Sequence, residues 1–199
     1  MPRPSVEAER RAQILRAACA VIADKGFARL RVSDVAAAAG VSGGTVHYYF
    51  DTKQDLVHAA FEDNYARSLQ RRRWILDTSD DPVQKLRLVV DSYLPDGEET
   101  TEAWKVWAEL WSQGMHQPEL RELHDRMYGD WRRIVAGVIR DGQRGGQLRP
   151  GNAVHLANML ISMIDGLAYQ VLLGSTAMPV SRMRATCLAF LDDLKVPSG

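Results

Sequence analysis

Apolar residues in this chain recur every three to four positions, and glycine or proline breaks the pattern at intervals along its length. That spacing is typical of amphipathic helices, and neither the alternation of β-strands nor an Asn-Gly hairpin turn occurs. We therefore expect an all-α fold. The breaks divide the chain into about nine helices, over residues 6–25, 32–39, 43–50, 53–76, 83–94, 101–115, 118–142, 152–173 and 180–194.

Several function classes lack their motifs in this sequence. The two cysteines, Cys19 and Cys187, are far apart and belong to no CxxC pair, which favours buried thiols in a reducing, cytoplasmic compartment. The five histidines show no zinc-ligand spacing, and there is no nucleophile elbow, P-loop or dinucleotide fingerprint. We therefore expect no metal, no cofactor and no enzymatic activity. Polar residues interrupt the most apolar run, residues 156–173, so no membrane span is expected.

The net charge is zero, but its distribution along the chain is uneven. Residues 1–76 hold 12 Lys and Arg against 8 Asp and Glu, whereas residues 77–199 hold 13 against 17. Such a split suggests a head that binds a polyanion on an acidic body. The imbalance is small, so it supports nucleic-acid binding only together with a motif. The arginine run at 71–73 is interpreted as a solvent-exposed helix face.

Residues 32–50 carry the most informative motif of the chain. Two short helices can meet at a wide angle only if their contact is small and the turn between them accepts a positive φ. Ala36 supplies the small contact and Gly40 the turn, while Ser42 is a good N-cap for the second helix. The sequence thus predicts a helix-turn-helix within an N-terminal three-helix head.

The second helix of this motif presents short or flat side chains that are rich in hydrogen-bonding groups. Its leading glycines would let backbone N–H groups approach a phosphate, which the helix dipole also favours. Thr45, Tyr49 and Lys53 can contact the phosphate backbone of a duplex. His47 and Tyr48 can reach base edges or thymine methyls in the major groove. The alternative is that these residues only pack and cover a small helical bundle.

From Gly40 to Leu56 the sequence resembles the recognition segment of the TetR family of one-component regulators, Gly-Val-Ser-x-Gly-Thr followed by aromatic residues, Phe, Lys and Leu in order. One departure is Arg31, which stands where many members have a threonine that caps the second helix. Arginine can contact phosphate but cannot provide that cap. Ser33 could touch a base or only solvate its helix. The predicted DNA contacts are Arg31, Ser33, Ser42, Gly43, Gly44, Thr45, His47, Tyr48, Tyr49 and Lys53.

The rest of the chain resembles, more weakly, the choline-responsive repressor (BetI-type) branch of that family through residues 103–111, 115–118 and 164–167. The resemblance implies a homodimer built on the last two helices and a ligand cavity among the middle ones. We accordingly divide the chain into a DNA-binding domain at 1–52 and an effector-binding and dimerisation domain at 53–199. The long helix that follows residue 52 connects the two.

Trp104, Trp107 and Trp111 recur at a spacing that places them on one helix face. This stripe could pack in the core or an interface, or form an aromatic wall for a flat or cationic effector. Asp165 lies among apolar residues and needs a partner, so it could bridge subunits, a structural role, or face the effector. The predicted effector-binding residues are Trp104, Trp107, Trp111, Asp165 and Tyr169.

Apolar side chains on the last two helices are numerous enough for a four-helix dimer interface, and the alternative is that they form the core of the single chain. The predicted interface consists of Leu160, Ile161, Ile164, Leu167, Met183, Cys187, Phe190 and Leu191.

The expected function is that of a transcriptional repressor that binds an inverted-repeat operator as a homodimer and is released by an unidentified small-molecule effector. Its partners would be double-stranded DNA, a second copy of the chain and the effector, with no membrane. One alternative is a DNA-binding protein that responds to no effector. The other is a helical small-molecule-binding protein or enzyme, which only the tryptophan stripe favours.

Overall fold

The computed structural model describes residues 5–197, with residues 74 and 75 described by their backbone alone. Over that range the chain forms nine α-helices and no β-strand, and an isolated bridge joins Leu148 to Lys195. The expectation of an all-α fold is confirmed. The helices are α1 Val6–Lys25, α2 Val32–Ala38, α3 Gly43–Tyr49, α4 Lys53–Asp77, α5 Pro82–Tyr93, α6 Glu98–Gly114, α7 Pro118–Arg144, α8 Ala153–Leu172 and α9 Val180–Asp193.

Local side-chain signals explain where several of these helices begin and end. Thr52 and Asp55 form a reciprocal capping box at the start of α4, in which each side chain accepts the other residue's backbone N–H at 3.0 Å. The Asn152 side chain accepts two backbone N–H groups of the first turn of α8. Gly26 ends α1 with φ 76°, a conformation that favours glycine. Helix α6 begins at Glu98, three residues before the expected start.

The described chain divides into two compact units, each with its own core. The first contains the residues up to Ser68 and Glu102–His124, and the second contains Leu69–Thr101 and the residues from Asp125 onward. The predicted functional division after residue 52 is a different one and stays a prediction. Fully buried side chains in the first unit include Ile14, Ile22, Leu30, Leu56, Phe61 and Leu110; those in the second include Leu86, Ile139, Leu160, Ile164 and Met183.

Helices α5, α8 and α9 pack on one another in the second unit. Arg184 of α9 donates two hydrogen bonds to the carboxylate of Asp91 in α5, at 2.7 and 3.1 Å. Arg87 and Asp192 form a second ion pair between the same two helices. Exposed ion pairs contribute little to stability, so the buried apolar residues of these helices supply most of the packing energy. Within residues 5–197, no helix has the length and apolar character needed to cross a bilayer.

Candidate functional site

The turn between α2 and α3 has the geometry that the motif at 32–50 requires. Gly40 adopts φ 61° and its N–H donates to the carbonyl of Ala37, while the N–H of Val41 donates to the carbonyl of Ala36 at 3.0 Å. Nothing lies within 4 Å of where a Cβ on Gly40 would be, so the requirement for glycine comes from the backbone alone. Helix α2 packs against both α1 and α3, which completes the expected three-helix head.

Side-chain hydrogen bonds hold the start of α3 in place. The Ser42 hydroxyl accepts the backbone N–H of Thr45 at 3.0 Å, and the two hydroxyl oxygens lie 2.8 Å apart. This is the predicted N-cap. Val46 is 1% exposed and Phe50 is 4% exposed, so both anchor the opposite side of the helix in the first unit. The rotation of α3 about its axis is thereby determined by packing.

The face of α3 that the sequence predicts to contact DNA points outward. Gly43, Gly44 and His47 are exposed, and Tyr48 is 74% exposed. The ring of Tyr49 is half-buried and packs edge-on against that of Tyr48, with 5.0 Å between centroids. A tyrosine this exposed contributes little to the chain's own core. The outward position supports a contact role for this face, which stays a prediction.

The remaining predicted DNA contacts flank α3. Arg31 and Ser33 are exposed, and Arg31 occupies the N-cap position of α2 without a capping hydrogen bond from its side chain. A guanidinium has no acceptor atom, so it cannot receive the backbone N–H groups of the first turn. Lys53 is half-buried, with Nζ 5.1 Å from the centroid of the Phe27 ring. Sequence reasoning missed Arg10, which lines the same open groove as Ser42 and Tyr48.

The tryptophan stripe of α6 lies within an aromatic cluster of the first unit. Trp107 stacks on Tyr65 of α4 with 6.5 Å between centroids and a 22° interplanar angle, and it lies 6.0 Å from the His124 ring of α7. Trp111 packs edge-on against Trp107 at 6.2 Å. Trp104 is buried, whereas Trp107 and Trp111 are half-buried. No spacing rule could have pointed to Tyr65 or His124, since they come from other helices.

Asp165 and Tyr169 belong to the second unit. The Tyr128 hydroxyl donates to Asp165 Oδ2 at 2.5 Å, and burial raises the pKa of this carboxyl from 3.8 to about 7. Burial also raises the pKa of Tyr128, with a further contribution from the Asp165 charge. Asp165 thus has a partner in its own chain, which favours a structural role. Tyr169 is 43% exposed on α8.

Six of the eight predicted dimer contacts are buried within the single chain. Each of the six is at most 3% exposed, in the unit where α8 packs against α9: Leu160, Ile161, Ile164, Met183, Cys187 and Leu191. For these residues the structure supports the alternative of an intramolecular core, because a side chain already removed from water gains nothing more from a partner. Leu167 and Phe190 are partly exposed.

The arginine run at 71–73 corrects one expectation. Arg72 is 8% exposed and lies over two aromatic rings, so the interpretation as a solvent-exposed face is wrong for this residue.

Both cysteines are buried free thiols, as expected, and burial raises the pKa of Cys19 to about 12. Among the described residues no cluster of three or more potential metal ligands occurs.

Comparison with known protein families identifies the family of this chain. The model of the bacterial regulatory proteins of the tetR family matches residues 14–60, and that of the BetI-type transcriptional repressor C-terminal domain matches residues 82–195. The chain belongs to the BetI-type branch of the TetR family. As a TetR-family protein it is a DNA-binding transcriptional regulator and not an enzyme.

Individual relatives agree with this assignment. The HTH-type transcriptional regulator BetI of Stenotrophomonas maltophilia is 35% identical over 170 residues, which cover 84% of this chain and 83% of that protein. A crystallised transcriptional regulator of Saccharomonospora viridis, in complex with choline, is 33% identical with a TM-score of 0.89, and the match covers 96% of this chain and 99% of that one. A TetR-family structure from Rhodococcus sp. is 27% identical with a TM-score of 0.84, over 94% and 99% of the two chains.

Proposed function

We propose that this TetR-family protein is a cytoplasmic repressor that binds an inverted-repeat operator as a homodimer, and that an organic cation of the choline class releases it. The observation that carries the proposal is the outward face of α3, on which Tyr48 is 74% exposed while Val46 is buried beneath it. A polar, aromatic helix face anchored from behind is suited to the major groove of a duplex.

A second copy of the chain is proposed because one exposed face of α8 carries apolar and aromatic side chains. Exposed residues recur at intervals of four and three along α8 and at its C-cap, so they share one face of the helix: His155, Met159, Ser162, Gly166, Tyr169 and Leu173. We call this face the seam. Met159 is 44% exposed and Leu173 is 74% exposed, apolar surface that a partner would cover. This face replaces the buried side of α8 as the proposed interface.

Two dimer-related α3 helices would enter successive major grooves about 34–36 Å apart, or a multiple of the helical repeat. The operator would then be an inverted repeat. The proposed phosphate contacts are Arg31, Ser42, Thr45, Tyr49 and Lys53, with Gly43 and Gly44 allowing close approach; the proposed base contacts are Ser33, His47 and Tyr48.

The effector class is proposed from the aromatic cluster around Trp107 and from the relative crystallised with choline. Quaternary ammonium groups bind to the faces of tryptophan and tyrosine rings by cation–π attraction. We propose that Trp104, Trp107 and Trp111 contribute such faces. Asp165 and Tyr169 remain further candidates. Release requires that the effector bind the DNA-free state more tightly than the DNA-bound state.

Fluorescence anisotropy with a labelled inverted repeat selected from random duplexes tests the proposal. Tyr48→Ala and Lys53→Ala should each weaken binding by about 10- to 100-fold, as expected for one lost base or phosphate contact per subunit. Lys85→Ala, which changes a similarly half-buried lysine on α5, should leave the affinity unchanged. Binding should fall by about 10³–10⁵-fold between 50 and 200 mM salt if the dimer neutralises six to ten phosphates.

Adding choline to the complex separates the proposed function from its alternative. Loss of anisotropy with choline supports release by an organic cation. Salt-dependent binding that choline leaves unchanged would support a DNA-binding protein without this effector. Binding that is indifferent to salt, or selection of a non-palindromic site, would contradict the proposed operator.

A further inference from the structure

The second unit contains an arginine enclosed by aromatic rings that no sequence pattern indicated. Arg72, near the end of α4, places its guanidinium carbon 3.6 Å from the centroid of the Tyr93 ring and 5.7 Å from that of Trp131. Its Nε donates to the Ser92 hydroxyl at 3.2 Å. Only 8% of this arginine is exposed. The guanidinium therefore occupies a cation position inside the second unit.

The two rings form a corner that suits a single cation. Tyr93 of α5 and Trp131 of α7 have centroids 5.5 Å apart and planes inclined by 42°, so both can contact the same charged group. Trp131 is 6% exposed, and burial of such a ring removes competing water and strengthens cation–π attraction. Ser92, which bonds Arg72, also donates to the carbonyl of Val89 at 2.7 Å and so belongs to the fixed wall of α5.

We propose that the Tyr93–Trp131 corner is a binding site for the ammonium group of an organic cation, and that Arg72 is a resident cation which this ligand displaces. The proposal rests on the proposed response to an organic cation and names a site for it beyond the Trp107 cluster. Displacement follows because two like charges at one pair of rings would lie within a few ångströms of each other and repel. The arginine side chain is long and can swing away, whereas the rings are held by their helices.

The resident arginine would act as an intramolecular competitor that sets the affinity of the site. A ligand must displace Arg72 from both rings before it makes its own ring contacts. The apparent affinity of the protein for the ligand is therefore lower than it would be if Arg72 did not occupy the corner. Removing the charge at position 72 should therefore strengthen the binding of a small cation. A purely structural arginine has the opposite signature, because its loss would loosen the corner and weaken any ligand.

Isothermal titration of the full-length protein without DNA tests this, with tetramethylammonium as the probe. Arg72→Gln should bind tetramethylammonium about 10- to 30-fold more tightly than the unchanged protein, the range expected when one cation–π competitor is removed. The gain should vanish in the double variant Arg72→Gln with Trp131→Leu. It should persist when Trp107→Leu is combined with Arg72→Gln, since Trp107 lies in the first unit.

3,3-Dimethylbutanol, the neutral carbon isostere of choline, controls for the loss of bulk. Arg72→Gln should increase its binding affinity much less than that of tetramethylammonium, because the alcohol lacks the charge that the rings attract. Arg72→Met, which keeps more of the apolar stem, repeats the measurement if the glutamine variant does not fold. Unchanged or weaker binding of tetramethylammonium in the folded variants, or a gain that survives Trp131→Leu, overturns the proposal.

Operator binding of the same proteins, measured without ligand, keeps the two proposals apart. If the variants bind the operator and choline still releases them, but Arg72→Gln gains no affinity for tetramethylammonium, only the site at Tyr93 and Trp131 is wrong. If no protein binds the operator, the proposed repressor function fails whatever the titrations show.

Discussion

The Glu109 side chain accepts a hydrogen bond from the backbone N–H of Phe27, at 2.9 Å, across 82 positions of sequence. Phe27 lies in the loop between α1 and α2, directly after Gly26, and its ring lies beneath the ammonium of Lys53. Helix α6, which carries the tryptophan stripe, is thus bonded to the loop that positions a proposed phosphate contact. All of these residues belong to the first unit.

Removing this bond should loosen the loop and blunt the response to the effector. Glu109→Ala leaves the Phe27 N–H without its charged acceptor, and we expect the free energy of unfolding to fall by about 1–2 kcal/mol. Choline should also release the operator less completely, since α6 no longer holds the loop. Chemical denaturation and anisotropy measure the two effects. Glu109→Gln retains an acceptor oxygen and should lie close to the unchanged protein; equal losses in both variants would contradict the hydrogen-bond explanation.

Features that depend on neighbouring residues could be predicted from the sequence. Gly40, Ser42 and the Thr52–Asp55 box are local signals, and the helix boundaries that depend on them lie within one or two residues of those observed. The early start of α6 was not predicted. Its first turn contains Glu98 and Glu99, which favour a helix N-terminus but lie between the turn residues 95–97 and the expected start at residue 101.

Features that depend on distant residues could not be predicted. The periodicity of α8 indicated an apolar stripe, but it could not say whether Leu160 faces its own chain or a partner. The Glu109–Phe27 bond and the position of Arg72 between two rings join separate helices and leave no trace in local spacing. A run of arginines predicts a solvent-exposed helix face because most arginines in proteins are exposed. Only the packed chain shows which of the three is buried.

The backbone conformation of Gly40 predicts a difference between two glycine substitutions in the same motif. Gly40→Ala forces a Cβ into a left-handed conformation and should lower the free energy of unfolding by about 1–2 kcal/mol. Gly43→Ala, in the first turn of α3 with nothing within 4 Å of its Cβ, should stabilise the protein by up to about 1 kcal/mol. Urea denaturation measures both. A stabilising Gly40→Ala would rule out the turn geometry.

The outer face of α8 predicts which substitution breaks the dimer. Met159→Glu places a charge in the proposed seam, where the facing copy would bring a second one, and desolvation of both opposes association. We expect the protein to elute as a monomer in size-exclusion chromatography with light scattering. It should also bind the operator far more weakly, because the two heads no longer share one binding event.

Met115→Glu is the matched control for this experiment. Met115 is 68% exposed directly after the end of α6, outside the proposed seam, and its replacement should leave the mass and the operator affinity unchanged. A Met159→Glu protein that remains a dimer would show that another surface holds the two copies together.

The buried carboxyl of Asp165 predicts a pH dependence of stability with a defined sign. Burial raises its pKa from 3.8 to about 7 in the folded protein, even though the Tyr128 hydroxyl donates to the charged form. The protonated carboxyl is therefore favoured by folding, and its contribution is fully present below pH 4 and lost as the pH rises through 7.

Relative to Asp165→Asn, which cannot ionise, the free energy of unfolding should fall by about 2–3 kcal/mol between pH 5 and 8. Denaturation of both proteins at the two pH values measures this difference, in which the other titrating groups cancel. A difference that stays constant with pH would mean that Asp165 keeps an ordinary pKa, and one that increases with pH would mean that a cation of the folded protein stabilises its charge.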